Sequence, residues 1–134
     1  MRGVLLLMGW ALFCVSLALP ALRTSGFFGF FGGTFRGWFC LAASVPDIGG
    51  FVSGEPRGIY MTLIGLSNVL MLASPALYLW GGRWAAQQRI AFVAAAIVVC
   101  LTKFAGGDPS TEYLVGYYVW CASFVAVAAA LHFE

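Results

Sequence analysis

The chain has 134 residues, of which 62% are hydrophobic and 9% charged, and its net charge is +2. A soluble globular domain carries about 25% charged residues, so this composition excludes an ordinary water-soluble domain. The small net charge, without a clustered basic face, also argues against nucleic-acid binding, and we expect no nucleic-acid partner. The mean hydropathy of +0.93 indicates a protein of the lipid bilayer.

Four apolar runs predict a single all-α domain over residues 1–134, an integral membrane four-helix bundle. A spanning helix needs about 20 largely apolar residues. The first run has the charged start and apolar stretch of a signal peptide, but we expect it to be retained as a membrane span. The predicted spans cover residues 4–22, 59–80, 85–104 and 113–131.

The segment FFGFFGGTFRGWFC, residues 27–40, connects the first two spans. An arginine such as Arg36 in the middle of a crossing helix costs several kcal/mol, and glycines weaken a helix. We therefore expect an interfacial or re-entrant segment instead of a regular fifth span. The residues predicted to contact a partner or lipid are Phe27, Phe28, Phe30, Phe31, Phe35, Arg36 and Trp38.

The orientation is predicted from lysine and arginine residues in the connections. Their count alone does not distinguish the two orientations. The connection GGRWAAQQR, residues 81–89, contains no acid, whereas the basic residues on the other side are balanced by acids. On this basis we predict that both termini are cytoplasmic.

Asn68 falls near the middle of the second span, where an unpaired amide costs free energy. We expect it to be buried and hydrogen-bonded to Ser123, to Ser16 or to a tyrosine of the fourth span. A polar constriction or a ligand contact is the alternative. Pro75 cannot donate a backbone hydrogen bond, so the span should kink or unwind locally, with Ser74 available to compensate.

The fourth span carries two patterns. Ala122, Ala126 and Ala130 recur every four residues, and such a face lets another helix approach closely, within the chain or between chains. Aromatic residues surround Gly116 near the other end of the span, where we expect an interfacial belt with its tryptophan lying deeper. A cage for a cation is the alternative. These aromatic residues are Tyr113, Tyr117, Tyr118 and Trp120.

Chemically active groups are scarce. The four apolar cores contain no Asp, Glu, Lys or Arg, which argues against proton-coupled transport. Asp108 and Glu112 are expected at the start of the fourth helix, where acids are favoured. His132 is the only histidine, so we predict no metal site, no cofactor and no enzymatic activity. The cysteines are expected to act as small hydrophobic residues, with a Cys40–Cys100 disulfide left open.

Several short motifs resemble a loosely defined group of small, uncharacterised bacterial inner-membrane proteins with four spans. Only the last motif has any specificity, and Leu114 departs from it, because a small residue is expected after the first tyrosine. The resemblance implies a location in the bacterial inner (plasma) membrane and brings no activity. The motifs are Leu19-Pro20, Gly37-Trp38, Ser67-Asn68 and YLVGYYVWCAS at 113–123.

Three functions fit these features. The first is a non-enzymatic accessory or assembly subunit that packs, within the bilayer, against another membrane protein or against copies of itself. The alternative is a small pore or uncoupled carrier lined by Asn68, Ser67, Thr62 and Ser123. A further alternative is an immunity-type protective protein that binds a membrane-active toxin through residues 27–40 and 45–58.

Overall fold

A computed structural model of the chain describes residues 2–27, 31–44, 48–80, 85–105 and 111–132. Six helices and three short strands form in this part of the chain. In chain order they are α1 (Arg2–Ala18), β1 (Pro20–Phe27), β2 (Phe31–Arg36), α2 (Gly37–Ala43), α3 (Ile48–Val52), α4 (Pro56–Trp80), α5 (Ala85–Ala105), β3 (Thr111–Tyr113) and α6 (Val115–His132).

Three of the helices, α4, α5 and α6, are long and apolar enough to cross a membrane. They agree with the predicted spans 59–80, 85–104 and 113–131 to within a few residues at each end. Helical apolar runs of this length have few alternatives in a bilayer, because a helix satisfies its own backbone polar groups. The segments that meet the length and hydropathy needed are Pro56–Leu79, Ala85–Phe104 and Val115–His132.

The first helix, α1, is apolar but ends at Ala18, so the predicted first span, 4–22, is longer than the helix. Pro20 accounts for the early end. A proline has no N–H to donate to the preceding turn, and its ring disfavours helical backbone in the residue before it. The chain continues from Pro20 as a strand.

A three-stranded antiparallel sheet, in the order β2-β1-β3, follows α1. In the central strand, Leu22 lies opposite Phe35 on one side and opposite Tyr113 on the other. The predicted all-α class is therefore wrong for this region, because threonine and aromatic side chains favour extended backbone here. Within residues 27–40, the described backbone forms β2 and the short helix α2, so a regular fifth span is absent there.

Helix α6 begins directly against the central strand. The backbone N–H of Leu114 donates to the carbonyl of Ala21 at 2.8 Å. A Cβ atom on Gly116 would lie 2.7 Å from the carbonyl oxygen of Pro20, so only glycine permits this approach. The sheet and the start of α6 are thereby joined at one end of the bundle.

The hydrophobic core lies between α1, α4, α5 and α6. Helices α1 and α6 approach closely at Gly9, where a Cβ atom would lie 3.1 Å from the carbonyl oxygen of Ser123 and 3.2 Å from the amide nitrogen of Val127. Small residues at such contacts let two helix backbones approach in membrane proteins. The largest fully buried apolar side chains are Phe13, Met71, Phe92, Val99, Phe124 and Val127.

Helix α4 runs through Pro75 without interruption. Of the two alternatives predicted at this proline, the local unwinding is therefore wrong, and the kink stays a prediction. Ser74, the residue expected to compensate, is buried, and its hydroxyl has no hydrogen-bond partner among the described residues. Packing on neighbouring helices keeps the segment helical even though one backbone hydrogen bond is lost.

Candidate functional site

A buried asparagine connects three helices. Trp120 Nε1 of α6 donates to Asn68 Oδ1 of α4 at 3.0 Å, and Asn68 Nδ2 donates at 3.0 Å to Ser44 Oγ, at the end of α2. Ser44 Oγ donates in turn to the carbonyl of Leu41 at 2.8 Å. Because an indole N–H can only donate, it must face Oδ1, which leaves the amide N–H for Ser44. Asn68 is 4% exposed, so this polar link lies inside the protein.

The partners expected for Asn68 are not the ones it has. Ser16 and Ser123 are buried, but each hydroxyl donates at 2.6 Å to a carbonyl three residues earlier in its own helix. This local bond is common, because a serine hydroxyl on a helix reaches the preceding turn. The bond to Ser44 depends on α2 folding back to the thirteenth residue of α4, which no local pattern predicts.

The hydroxyl residues predicted to line a pore are also buried. Ser67 Oγ donates to the carbonyl of Leu63 at 2.8 Å, again within its own helix. Thr62 is 8% exposed and also interacts within the chain. These side chains therefore have interactions within the chain itself.

Tyr117 is a core residue whose hydroxyl bonds to the backbone near the end of α5. Its hydroxyl donates to the carbonyl of Val99 at 3.1 Å and accepts from the backbone N–H of Lys103 at 3.3 Å. These two groups are four residues apart, the spacing of a backbone hydrogen bond within an α-helix. The ring of Tyr117 is buried and tilted against that of Trp120, with ring centroids 6.0 Å apart, while the interfacial belt stays a prediction.

The other two tyrosines of this region lie nearer the surface. Tyr118 is half exposed, and the Lys103 ammonium lies 5.7 Å from its ring centroid and 3.2 Å from its hydroxyl. Burial raises the pKa of the Tyr113 phenol, and the nearby Lys103 charge lowers it in part. The cation beside the Tyr118 ring is therefore the Lys103 ammonium of the chain itself, and a cage for a bound cation stays a prediction.

A cluster that we call the aromatic surface consists of the half-buried Phe35 and the exposed Arg36, Trp38 and Phe39. The rings of Phe35 and Phe39 stack at 5.0 Å, and Trp38 packs edge-on against Phe39 at 5.9 Å. Trp38 is 56% and Phe39 44% exposed. Phe39 is not among the individually predicted contact residues, although it lies within residues 27–40, the segment assigned to toxin binding in the third function.

The remaining residues predicted for this surface are described only in part. Phe27 ends β1 and Phe31 begins β2, and the two are partners in the antiparallel pairing of these strands. Phe28 and Phe30 lie outside the described residues. The predicted contact of these four phenylalanines with a partner or lipid stays a prediction.

The alanine stripe of α6 passes from the surface to the interior. Ala122 is exposed, Ala126 is half-buried and Ala130 is fully buried. Gly9 of α1 packs closely on α6 at Ser123 and Val127, each one residue after an alanine of the stripe. Packing of another chain against the exposed end of the stripe stays a prediction.

Groups that could support chemistry are few in the described part of the chain. No three His, Cys, Asp or Glu side chains there lie close enough to hold a metal ion. The four cysteines are free thiols, so the Cys40–Cys100 disulfide is not formed. Glu112 forms an exposed ion pair with Arg23 at 3.4 Å, and Asp108, the expected helix cap, lies outside the described residues.

Fold and site together define a predominantly helical chain with three helices suited to crossing a membrane. Comparison with protein-family models, with curated proteins and with solved structures finds no match for this chain.

Proposed function

We propose that the chain is a non-enzymatic accessory or assembly subunit, which packs against another membrane protein or against copies of itself. The internal use of Asn68 is the observation that supports this proposal most. Both polar atoms of its amide bond to other helices of the same chain, to Trp120 and Ser44. A polar residue used in this way stabilises the packing of helices in a membrane. It is not available to a permeating solute, which weakens the pore alternative.

The proposal includes four crossings of the bacterial inner membrane. Helix α1 has 17 residues, which span about 26 Å at 1.5 Å per residue. This is slightly less than the hydrocarbon core of about 30 Å. The first residues of β1 extend the crossing: Pro20 is paired with β2, and Leu22 is paired with both β2 and β3. An even number of crossings leaves both termini on one side, which we assign to the cytoplasm.

The aromatic surface supplies the contact with the partner. Tryptophan and phenylalanine are enriched in protein interfaces, where they bury large areas at a small cost in side-chain entropy. Arg36 precedes α2 and is exposed beside these rings, so it can form an ion pair or bind a headgroup at the rim. A toxin-binding protective protein would use the same surface, and the identity of the bound partner separates the two functions.

The test is purification of a tagged chain from its native membrane in mild detergent, followed by mass measurement and mass spectrometry of bound proteins. We expect a particle heavier than the 14.3 kDa chain. The variant Trp38→Ala/Phe39→Ala should lose the partner and remain folded. The control is Leu79→Ala, an 83% exposed apolar residue at the end of α4. A monomeric wild-type particle, or equal loss of the partner in both variants, would contradict the proposal.

A transport assay addresses the pore alternative separately. The purified chain is reconstituted into liposomes, and flux of ions and small solutes is compared with that of Asn68→Gln, which retains an amide in a longer side chain. We expect no flux from either protein. Flux that depends on residue 68 in a protein of unchanged stability would replace the subunit proposal with the pore.

A further inference from the structure

An apolar groove runs along the outside of the bundle between α5 and α6, and we call it the α5–α6 groove. It consists of two adjoining cavities of about 330 and 250 Å³, which share Val93 and Ile97. The small residues Ala96 and Ala128 form its buried floor, while Ile97 on its wall is half exposed. The groove therefore lies on the outer face of α5 and α6. Each of these helices is suited to crossing a membrane, so lipid would face the groove.

One end of the groove carries basic side chains. Arg89, near the start of α5, and His132, at the end of α6, both line the first cavity together with Ile90. A guanidinium group has five N–H donors in a planar fork that matches phosphate oxygens. Arg89 can therefore bind a phosphate while it keeps its interactions within the chain.

His132 is oriented by its own helix. Its Nδ1 lies 2.9 Å from the carbonyl oxygen of Ala128. A carbonyl can only accept, so Nδ1 carries a hydrogen and the second ring nitrogen, Nε2, is left to act toward a ligand.

The length of the groove matches one leaflet of a bilayer. From Arg89 to Cys100, the last α5 residue along its wall, the helix advances about 16 Å at 1.5 Å per residue. Half of a hydrocarbon core of about 30 Å is about 15 Å. A lipid with its phosphate at the basic end thus has an acyl chain of the right reach to follow the groove to the middle of the membrane.

We propose that the α5–α6 groove binds one anionic phospholipid, with the phosphate at Arg89 and His132 and an acyl chain along Val93 and Ile97. The basic end of the groove favours a negatively charged headgroup, and its apolar part favours an acyl chain. The groove begins at the end of α6 that lies opposite the sheet. It is therefore separate from the aromatic surface, and its lipid does not depend on the proposed protein partner.

The test measures thermal stability and bound lipid in detergent-purified protein. Phosphatidylglycerol and phosphatidylcholine with identical acyl chains are added separately, and bound lipid is counted by native mass spectrometry. We expect one phosphatidylglycerol to bind at least about tenfold more tightly than phosphatidylcholine, because phosphatidylcholine carries the same phosphate together with a quaternary ammonium that the basic end repels. Arg89→Gln should abolish this preference. The matched control Arg57→Gln, an exposed arginine near the start of α4, should retain it.

A second variant keeps the test decisive if Arg89→Gln does not fold. Ala94 is exposed and lines the first cavity, so Ala94→Phe fills the groove and should displace the lipid while leaving the core unchanged. Equal binding of the two lipids, or an unchanged preference in Arg89→Gln, would overturn the proposal. So would full stabilisation by inorganic phosphate alone, which would indicate a small-anion site, or a change of oligomeric mass in Ala94→Phe, which would indicate a second copy in the groove.

Discussion

Trp120 and Asn68 hold α6 and α4 together through a hydrogen bond of 3.0 Å between the indole N–H and the amide oxygen. Removing either partner leaves a buried polar group unpaired, which costs about 1–3 kcal/mol. We expect Trp120→Phe and Asn68→Leu each to lower the free energy of unfolding. The double variant should be less destabilised than the sum, with a coupling energy of about 0.6–2 kcal/mol.

Unfolding in detergent micelles, titrated with a denaturing detergent, measures these energies. Ser67→Ala is the control, because its hydroxyl bonds only to the carbonyl of Leu63 in its own helix and such bonds contribute little to stability. Strictly additive effects of the two single changes would show that Trp120 and Asn68 do not interact in the folded protein.

The hydroxyl of Tyr117 bonds to the backbone of α5 near its end, at the carbonyl of Val99 and the N–H of Lys103. Tyr117→Phe keeps the ring and removes these bonds, so we expect a loss of about 1 kcal/mol. The backbone amide of Lys103 should also exchange its hydrogen faster, measured by hydrogen–deuterium exchange and mass spectrometry. Tyr118→Phe is the control, since that tyrosine is half exposed. Equal exchange rates at Lys103 in both variants would contradict the role given to Tyr117.

The parts of the fold that sequence reasoning predicted are those encoded within one segment. Helices α4, α5 and α6 each follow from a single apolar run, and their bounds agree with the predicted spans. The sheet does not follow from any single segment, because β1 and β3 are 89 residues apart in sequence at the pair Arg23 and Glu112. Composition also could not decide how residues 27–40 fold, since glycine and phenylalanine suit a hairpin and an interrupted helix equally.

The candidate site also has one part that a single segment predicts and another that depends on the tertiary fold. The burial of Asn68 is predictable, because an amide in the middle of an apolar span must find partners. Their identity is not, since Ser44 is brought to it by the tertiary path of α2. The close contact at Gly9 was missed because a single glycine in an apolar run has no local signature of the helix that packs on it.

The antiparallel register of the sheet predicts a specific cross-link. Arg23 and Glu112 lie directly opposite in adjacent strands, where the Cα atoms of antiparallel pairs are about 4.5–5.5 Å apart. This separation suits a disulfide. In a background in which the four native cysteines are alanine, we expect Arg23→Cys/Glu112→Cys to form a disulfide on mild oxidation. Mass spectrometry of proteolytic fragments detects it.

The control for this cross-link uses the alternation of side chains along a strand. Tyr113 is the next residue of β3, so its side chain points to the opposite face of the sheet from that of Glu112. The pair Arg23→Cys/Tyr113→Cys should therefore stay reduced under the same conditions. Efficient bonding in the control, or none in the opposed pair, would show that the register of β1 with β3 is different.

The contact between α1 and α6 should be sensitive to one methyl group at Gly9. In Gly9→Ala the new Cβ would lie 2.6 Å from Val127 Cγ2 and 3.1 Å from the carbonyl oxygen of Ser123. The valine methyl can turn away, but the carbonyl belongs to the backbone of α6, so the helices must separate. Overpacking of this kind costs about 1–3 kcal/mol. Gly33→Ala is the control, because no atom lies within 4 Å of the added Cβ.

Micelle unfolding measures this effect, and a compensating change tests its cause. Gly9→Ala/Val127→Ala should recover only part of the lost stability, because truncating Val127 removes the methyl clash and leaves the contact with the Ser123 backbone. Full recovery would assign the clash to the side chain alone. Equal stability of Gly9→Ala and Gly33→Ala would refute the close contact.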